Sequence, residues 1–208
     1  MFKLEKTTQT TAYLLTKTKG KMHYKKLIRT LYVADRKNYE QWSEPLTWDK
    51  PISTKVGPAL SETLKIMTGE KQSSIWNEYI PPIINEWIKL TEPFNTQKLD
   101  QLSKADKAIL DEAISEESAS TGLTYEGLLT RFPEWNYPTD NDTPIELPDI
   151  LKNIGYSEKA IQEILEILED KDAIARFTDS MEYKKRDELY DRDKTKNDTR
   201  SIDTTTAV

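Results

Sequence analysis

Apolar and polar residues alternate along the first 40 positions with the period of an α-helix. Apolar positions within residues 5–18 predict a short first helix, which Gly20 ends. Spacings of three and four then predict a second helix at residues 23–39 with a single apolar stripe. The stripe consists of Tyr24, Leu27, Ile28, Leu31, Tyr32 and Ala34. We expect the two helices to form a hairpin with a four-residue turn.

Prolines and glycines divide the stretch that follows. Two prolines exclude a helix interior from residues 43–56, so this segment is predicted to be a loop or a short edge strand. Gly57 and Pro58 are predicted to open a helix, because proline suits the first helical turn, and Gly69 stands where its C-terminal cap belongs. Residues 74–92 are rich in branched and aromatic side chains, which favours a small β-hairpin.

The second half of the chain contains three helix-start signals. Ser103, Thr124 and Ser157 each precede an apolar run with helical spacing and are predicted to be N-caps. A further short helix is expected at residues 145–154, closed by Gly155. The whole pattern predicts a mostly α (α+β) fold: a compact helical domain with a small β-hairpin element and a polar C-terminal tail.

The C-terminal residues differ in composition from the rest of the chain. Residues 182–208 contain seven Lys/Arg and seven Asp/Glu but few apolar side chains. Such a segment cannot bury enough apolar surface to offset the entropy of ordering the chain. We therefore expect one domain at residues 1–175, followed by a charged helical extension and disordered tail at residues 176–208.

Charge is unevenly distributed along the sequence. Residues 1–37 contain ten Lys/Arg and two Asp/Glu, whereas the whole chain has a net charge of −6. Residues 140–172 contain ten Asp/Glu and three Lys. Either segment is a candidate binding face, since opposite patches orient association. The basic segment also leaves nucleic-acid binding open as a less favoured alternative, through Lys17, Lys19, Lys21, Lys25, Lys26 and Arg29.

The side chains that usually carry catalysis are scarce. The chain has no cysteine and a single histidine, His23, which is expected to be a surface or capping residue. No phosphate-binding glycine loop and no His/Cys cluster is present, so we predict a protein that is not an enzyme and uses no metal or cofactor. No apolar run approaches the ~20 residues that cross a bilayer. A cytoplasmic protein that binds another protein is therefore the favoured prediction.

Three segments carry a resemblance to one known family. The first is KLIRTLYVADR at residues 26–36, the second is GPALSETL at 57–64, and the third is FPEWNYP at 132–138 followed by IELPDIL at 145–151. Their order and spacing resemble the Panacea domain, also called the SocA-like antitoxin family. Val56 and Arg131 stand where that family often has an aromatic or histidine residue, and these departures affect polar contacts rather than the apolar pattern.

The resemblance implies a function that composition does not. Panacea domains are antitoxins in toxin–antitoxin pairs of bacteria and phages, and they neutralise unrelated toxins by direct contact. The implied partner is a cognate protein toxin encoded beside the antitoxin. The SocA branch implies an alternative, in which the protein is an adaptor that delivers its toxin to a ClpXP-type protease. An autorepressor that binds nucleic acid is the third possibility.

The motif residues also have physical interpretations of their own. We expect the family-motif positions to be mainly structural; they are Leu31, Tyr32, Ala34, Asp35, Arg36, Gly57, Pro58, Pro133, Glu134 and Trp135. Candidate partner-facing residues are placed on the basic segment and in the proline-flanked loop; they are Lys25, Lys26, Arg29, Lys37 and Trp48.

Overall fold

The computed structural model describes residues 1–120, 124–178 and 181. The chain divides into a larger unit, Phe2–Ile164, and a smaller unit that comprises Met1 and Leu165–Val208. In the smaller unit, residues 165–178 are helical. Of the charged extension and tail predicted for residues 176–208, residues 179, 180 and 182–208 lie outside the described residues. Across the described part of the chain, no helix combines the length and apolarity that crossing a bilayer requires.

The larger unit is built from helices and two small antiparallel sheets, which confirms the predicted mostly α, α+β class. In chain order its elements are α1 (Leu4–Thr16), β1 (Lys21–His23), α2 (Tyr24–Trp42), β2 (Pro51–Thr54), β3 (Gly57–Leu60), α3 (Ser61–Thr68), α4 (Ser74–Tyr79), β4 (Trp87–Lys89), α5 (Lys104–Ala119), α6 (Tyr125–Arg131), β5 (Thr143–Pro144) and α7 (Leu147–Asn153). A short 3-10 turn occupies Thr96–Lys98, and residues 158–164 are helical.

Helix α2 lies at the centre of this unit. It packs against α1, α3, α5, α7, β1 and β3. His23 caps its first turn by accepting a hydrogen bond from the Lys25 backbone amide, as predicted for the single histidine. The apolar stripe predicted from the sequence is the buried face except at the half-buried Tyr24, and Leu27, Leu31 and Ala34 have no exposed surface. The chain between α1 and α2 contains strand β1, so the predicted four-residue turn between the two helices is wrong.

The larger sheet has the strand order β3-β2-β5. Strands β2 and β3 form a hairpin in which Pro51 pairs with Leu60 and Thr54 with Gly57. The segment at residues 43–56, predicted to be a loop or a short edge strand, therefore contains the central strand of this sheet. Its second neighbour, β5, consists of the two residues Thr143 and Pro144.

Gly57 and Pro58 begin a strand, and the predicted helix start at this position is wrong. Gly57 has a φ of 119°, which a helix does not allow, and an added Cβ there would contact Leu128 and Arg29. Pro58 is accommodated because β3 is an edge strand, where a missing amide donor is tolerated. The helix starts at Ser61 instead and ends at Gly69, whose φ of 83° gives the predicted left-handed cap.

The β-hairpin predicted within residues 74–92 is also wrong. Ser73 caps helix α4 through the Trp76 amide, and Trp76, Tyr79 and Ile80 are buried at helical spacing. Only the second half of the segment is a strand, and β4 pairs with β1 rather than with residues 75–80. Tertiary burial of the helical stripe overrides the strand preference of these side chains.

The start of α3 depends on a carboxylate that is distant in sequence. Asp49 accepts hydrogen bonds from the backbone amides of Glu62 (2.9 Å) and Thr63 (2.7 Å) and from the Thr63 hydroxyl (2.6 Å). It therefore serves as the N-cap that Leu60, the residue preceding the helix, cannot provide. This contact fixes the position of α3 relative to the loop that follows α2.

Replacing this carboxylate should destabilise the protein. We expect Asp49→Ala to lower the free energy of unfolding by about 2–4 kcal/mol, because both a helix cap and the partner of the buried Thr63 hydroxyl are lost. Urea denaturation followed by circular dichroism measures the change. Ser73→Ala removes a single cap contact at α4 and should cost about 1 kcal/mol. Equal losses in the two variants would contradict the role assigned to Asp49.

Candidate partner-binding surface

The family-motif residues meet in the interior around Glu134. The Tyr32 hydroxyl donates to Glu134 Oε1 (2.6 Å), Arg36 Nε lies 3.1 Å from the same oxygen, and Asn153 Nδ2 donates to Oε2 (3.1 Å). The Glu134 side chain has no exposed surface. Burial, together with the neighbouring Glu134 carboxylate, raises the pKa of Tyr32 well above its usual range, so the phenol remains a donor. This cluster joins α2, the segment after α6, and α7.

Two further motif residues, Trp135 and Asp35, are also packed into the fold. Trp135 is 1% exposed, and its Nε1 donates to the backbone oxygen of Thr54 (3.0 Å). Asp35 accepts hydrogen bonds from the amides of Leu46 and Thr47, both 2.9 Å, and from the Thr47 hydroxyl. Pro133 is exposed. These placements give each polar motif side chain a structural partner within the larger unit.

The basic candidates on α2 have partners on neighbouring segments of the larger unit. Arg29 Nε donates to Glu117 (2.8 Å), a fully buried carboxylate that Arg131 of α6 also contacts. Lys37 lies 3.0 Å from Glu116 of α5. Two further contacts involve the start of α2; they are Lys26 with Ser118 (3.3 Å) and Lys25 with Glu86 (2.8 Å).

Trp48 lies in the loop between α2 and β2 and is half-buried. Its backbone is left-handed, with a φ of 57°, and the next residue is the capping Asp49. The Lys3 ammonium lies 5.0 Å from the centroid of its ring. The five proposed partner-facing residues therefore do not form one patch: four lie along α2, and Trp48 belongs to a loop held by the cap of α3.

An open groove of about 450 Å³ lies beside the tip of the β2–β3 hairpin. Its apolar wall is formed by Tyr24, Ile28, Val56 and Leu64. Its polar lining includes the hairpin residue Lys55 and three carboxylates, which belong to Glu70, Asp140 and Asp142. Two of these carboxylates come from the acidic segment that the sequence marked as a candidate face, and they meet the first residue of the basic helix α2 in this groove.

A small ribbon of two strands continues the surface beyond Tyr24. Strands β1 and β4 pair Lys21 with Lys89 and His23 with Trp87. His23 stacks on Tyr24 at a centroid distance of 5.6 Å and meets Trp87 edge-on at 5.9 Å. We call β1, β4 and the turn at residues 84–87 the Trp87 ribbon. It and the groove share Tyr24 as a common border.

Sequence reasoning missed the most exposed apolar side chains of this surface. Ile84 is 63% exposed and Trp87 is 44% exposed. Tyr125 and Tyr137, both about half-exposed, form an edge-on pair whose centroids are 5.9 Å apart and also contact Trp135. Their exposure depends on which side of a strand or turn faces the core, and only the tertiary structure decides that.

Among the described residues, no group of three or more His, Asp or Glu side chains is placed to hold a metal ion. Glu86 Oε2 lies 3.4 Å from His23 Nε2. The histidine thereby gains an acidic neighbour while its other nitrogen caps α2.

Comparison with known proteins identifies one family. The family model described as "Antitoxin SocA-like, Panacea domain" matches residues 27–136, slightly more than half of the chain. The matched range contains most of α2, the β2–β3 hairpin, and the segment with Glu134 and Trp135. No curated protein and no solved structure matches the chain.

Removing the charge at the centre of the motif cluster should be costly. We expect Glu134→Gln to lower the free energy of unfolding by about 2–4 kcal/mol, because Arg36 loses its ion-pair partner and an amide nitrogen would face Asn153. Chemical denaturation measures the loss. Glu158→Gln, at an exposed position, should change stability by less than about 0.5 kcal/mol. A neutral Glu134→Gln would show that this cluster does not hold α2 and α7 together.

Asp35 should make stability depend on pH. Burial raises its pKa to about 7, against the opposing effect of the hydrogen bonds from Thr47 and Leu46. The unfolded value is about 3.9. Between pH 4 and 7 the folded state therefore holds the extra proton, and the contribution of Asp35 to the free energy of unfolding falls as pH rises, by up to about 1.4 kcal/mol per unit.

The difference in unfolding free energy between the wild type and Asp35→Asn isolates this contribution. Between pH 4.5 and about pH 7, the wild type should lose stability relative to Asp35→Asn as the pH rises. From about pH 7 to pH 8 the difference should stay constant. Asp142→Asn, at an exposed position, should preserve the wild-type slope. A pH-independent difference for Asp35→Asn would show that this carboxyl does not titrate in the window.

Proposed function

The chain belongs to the SocA-like antitoxin family with a Panacea domain, and from that membership we propose that it neutralises a cognate protein toxin by binding it directly. The family match over residues 27–136 is the observation that carries this proposal. The proposed partner is a cytoplasmic toxin encoded next to the antitoxin. Neutralisation by contact needs a complementary surface and no catalytic side chain.

The surface around Tyr24 supports direct binding. Exposed aromatic and aliphatic side chains are the usual anchors of protein interfaces, and Trp87, Ile84 and the groove wall supply them side by side. The ribbon adds ammonium groups and the groove adds carboxylates, so the surface is polarised. Such a pattern aligns a partner during association. A stable interface buries about 1,600 Å² in total, so we expect the ribbon and the groove to contribute to it together.

Delivery of the toxin to a ClpXP-type protease is a second way in which the same surface would serve. Sequestration and delivery both begin with binding, so they differ in the fate of the toxin rather than in the contact. Under sequestration the toxin accumulates in a stable complex. Under delivery the toxin level falls, and it recovers when the protease is removed.

Co-expression with the neighbouring reading frame tests the proposal. We expect that frame to stop growth when induced alone, to be harmless together with this protein, and to co-purify with it in a fixed ratio. Western blots of the toxin in strains with and without the protease then separate sequestration from delivery. If the neighbour is harmless alone and does not co-purify, direct neutralisation of an adjacent toxin is wrong. Binding of promoter DNA that weakens steeply with salt would then favour the autorepressor.

A further inference from the structure

The turn of the Trp87 ribbon has an unfavourable backbone conformation. Asn85 and Glu86 have φ values of 50° and 66°, and Ile84 and Trp87 on either side exchange both backbone hydrogen bonds. This pattern of two positive φ values is that of a type I′ hairpin turn, which normally uses glycine in its second central position. Glutamate at that position is held in a conformation that L-residues disfavour.

Contacts from the start of α2 hold the turn in place. The Tyr24 amide donates to the Glu86 backbone oxygen (2.9 Å), and the Lys25 ammonium donates to the Glu86 carboxylate (2.8 Å). The turn is therefore fixed to α2, the helix at the centre of the larger unit. Rigid display of this kind lowers the entropy cost of binding, because the contact residues are already ordered.

The ribbon displays two large apolar side chains on its outer surface. Residues directly opposite each other across antiparallel strands point to the same face, so Ile84 and Trp87 project together. The alternation along the strands places Met22 and Ile88 on the inner face, where they are 3% and 1% exposed. Apolar side chains thus occur on both faces of the ribbon, although only its inner face packs against the core.

Like charges surround this outer apolar pair. Lys21 and Lys89 lie directly opposite each other, an arrangement that destabilises a sheet. Lys21 also places its ammonium 5.8 Å from the centroid of the Trp87 ring. With Lys25 the ribbon carries three ammonium groups, against the single carboxylate of Glu86.

Two features that oppose folding, a left-handed glutamate and an opposed lysine pair, therefore coincide on this ribbon with an exposed Ile–Trp pair. Unfavourable local choices concentrate where a protein uses a surface for binding. We infer that Ile84 and Trp87 are the anchor by which this protein binds its partner, and that they enter an apolar pocket with an acidic rim on the toxin.

Charge complementarity identifies this occupant. The lysines would pair with carboxylates at the pocket rim, while the tryptophan fills the apolar floor. The inference rests on the proposed function, because it assigns the anchor of the same protein–protein contact. It adds the residues that carry the affinity and the chemistry of the surface they meet.

Substitution of the anchor tests the inference, with the toxin of the adjacent reading frame as the probe. In a binding titration with the full chain, Trp87→Ala should weaken the complex at least 30-fold, since a central tryptophan is a typical hot spot. Trp42→Ala is the matched control, because Trp42 is 55% exposed at the other end of α2, and it should change the Kd by less than about threefold. Thermal unfolding of both variants reports whether the fold is intact.

A second variant guards against misfolding as the cause. Ile84 is 63% exposed, so Ile84→Asp leaves the core untouched and should still weaken binding at least tenfold. If Trp87→Ala and Ile84→Asp bind the toxin as tightly as the wild type, the anchor lies elsewhere while the proposed function stands. If the wild type itself does not bind, the proposed function fails and this inference with it.

The charge of the partner is tested separately. We expect the association rate of the wild type to fall as NaCl is raised from 50 to 500 mM, and the double variant Lys21→Glu/Lys89→Glu to associate more slowly and with weaker salt dependence. Unchanged association of the double variant would exclude an acidic rim.

Two other occupants of the ribbon have distinct readouts. Salt-sensitive binding of a single-stranded or duplex oligonucleotide that Trp87→Ala abolishes would replace the toxin with nucleic acid. A dimer in sedimentation that Trp87→Ala dissociates would replace it with a second copy of this chain. Either result would overturn the inference.

Discussion

Helix α2 is enclosed on so many sides that its polar side chains need partners inside the protein, and much of the larger unit is arranged to supply them. Asp35 accepts hydrogen bonds from backbone amides of the following loop. Arg36 forms an ion pair with Glu134, and Arg29 forms one with Glu117 of α5. Burying a charge without a partner costs several kcal/mol, so each of these contacts constrains where the neighbouring segment can lie. Polar contacts, as well as the apolar stripe, therefore determine how the elements pack around α2.

The Glu117 carboxylate shows how such constraints combine. It contacts Arg29 from α2 and Arg131 from α6, and its side chain has no exposed surface. A hydrophobic replacement of the trio could be equally stable, because desolvation cancels much of the attraction. The ionic version differs in that it is satisfied only when three helices meet at one point. We interpret it as a device that fixes their mutual register.

How much of this could be predicted depended on the sequence separation of the contacts. The stripe of α2, the N-cap at Ser103 and the cap at Gly69 are local patterns, and the structure confirms all three. The start of α3 was predicted wrongly because its cap, Asp49, comes from a loop more than ten residues earlier. The β-hairpin prediction for residues 74–92 failed for a related reason. The partner of β4 is β1, which lies far away in sequence, just before α2.

The candidate site was harder to predict, and for the same reason. Their position in the helical pattern predicts that Arg29 and Lys37 face solvent. Their acidic partners nevertheless lie on α5, about 80 residues further along the chain. In the opposite direction, Ile84 and Trp87 belong to a run of branched and aromatic residues for which the sequence predicted only a β-hairpin. Strand pairing decides which residues of that run face outward.

The division between motif and surface bears on how an antitoxin chooses its partner. The residues that carry the family resemblance, such as Tyr32, Glu134 and Trp135, are buried and engaged with one another. Buried groups specify the scaffold and cannot distinguish one toxin from another. Under the proposed function, the choice of toxin must therefore depend on exposed positions that the scaffold holds rigidly. The Trp87 ribbon meets this requirement, since its inner face is locked into the core by Met22 and Ile88 while its outer face is open to contact.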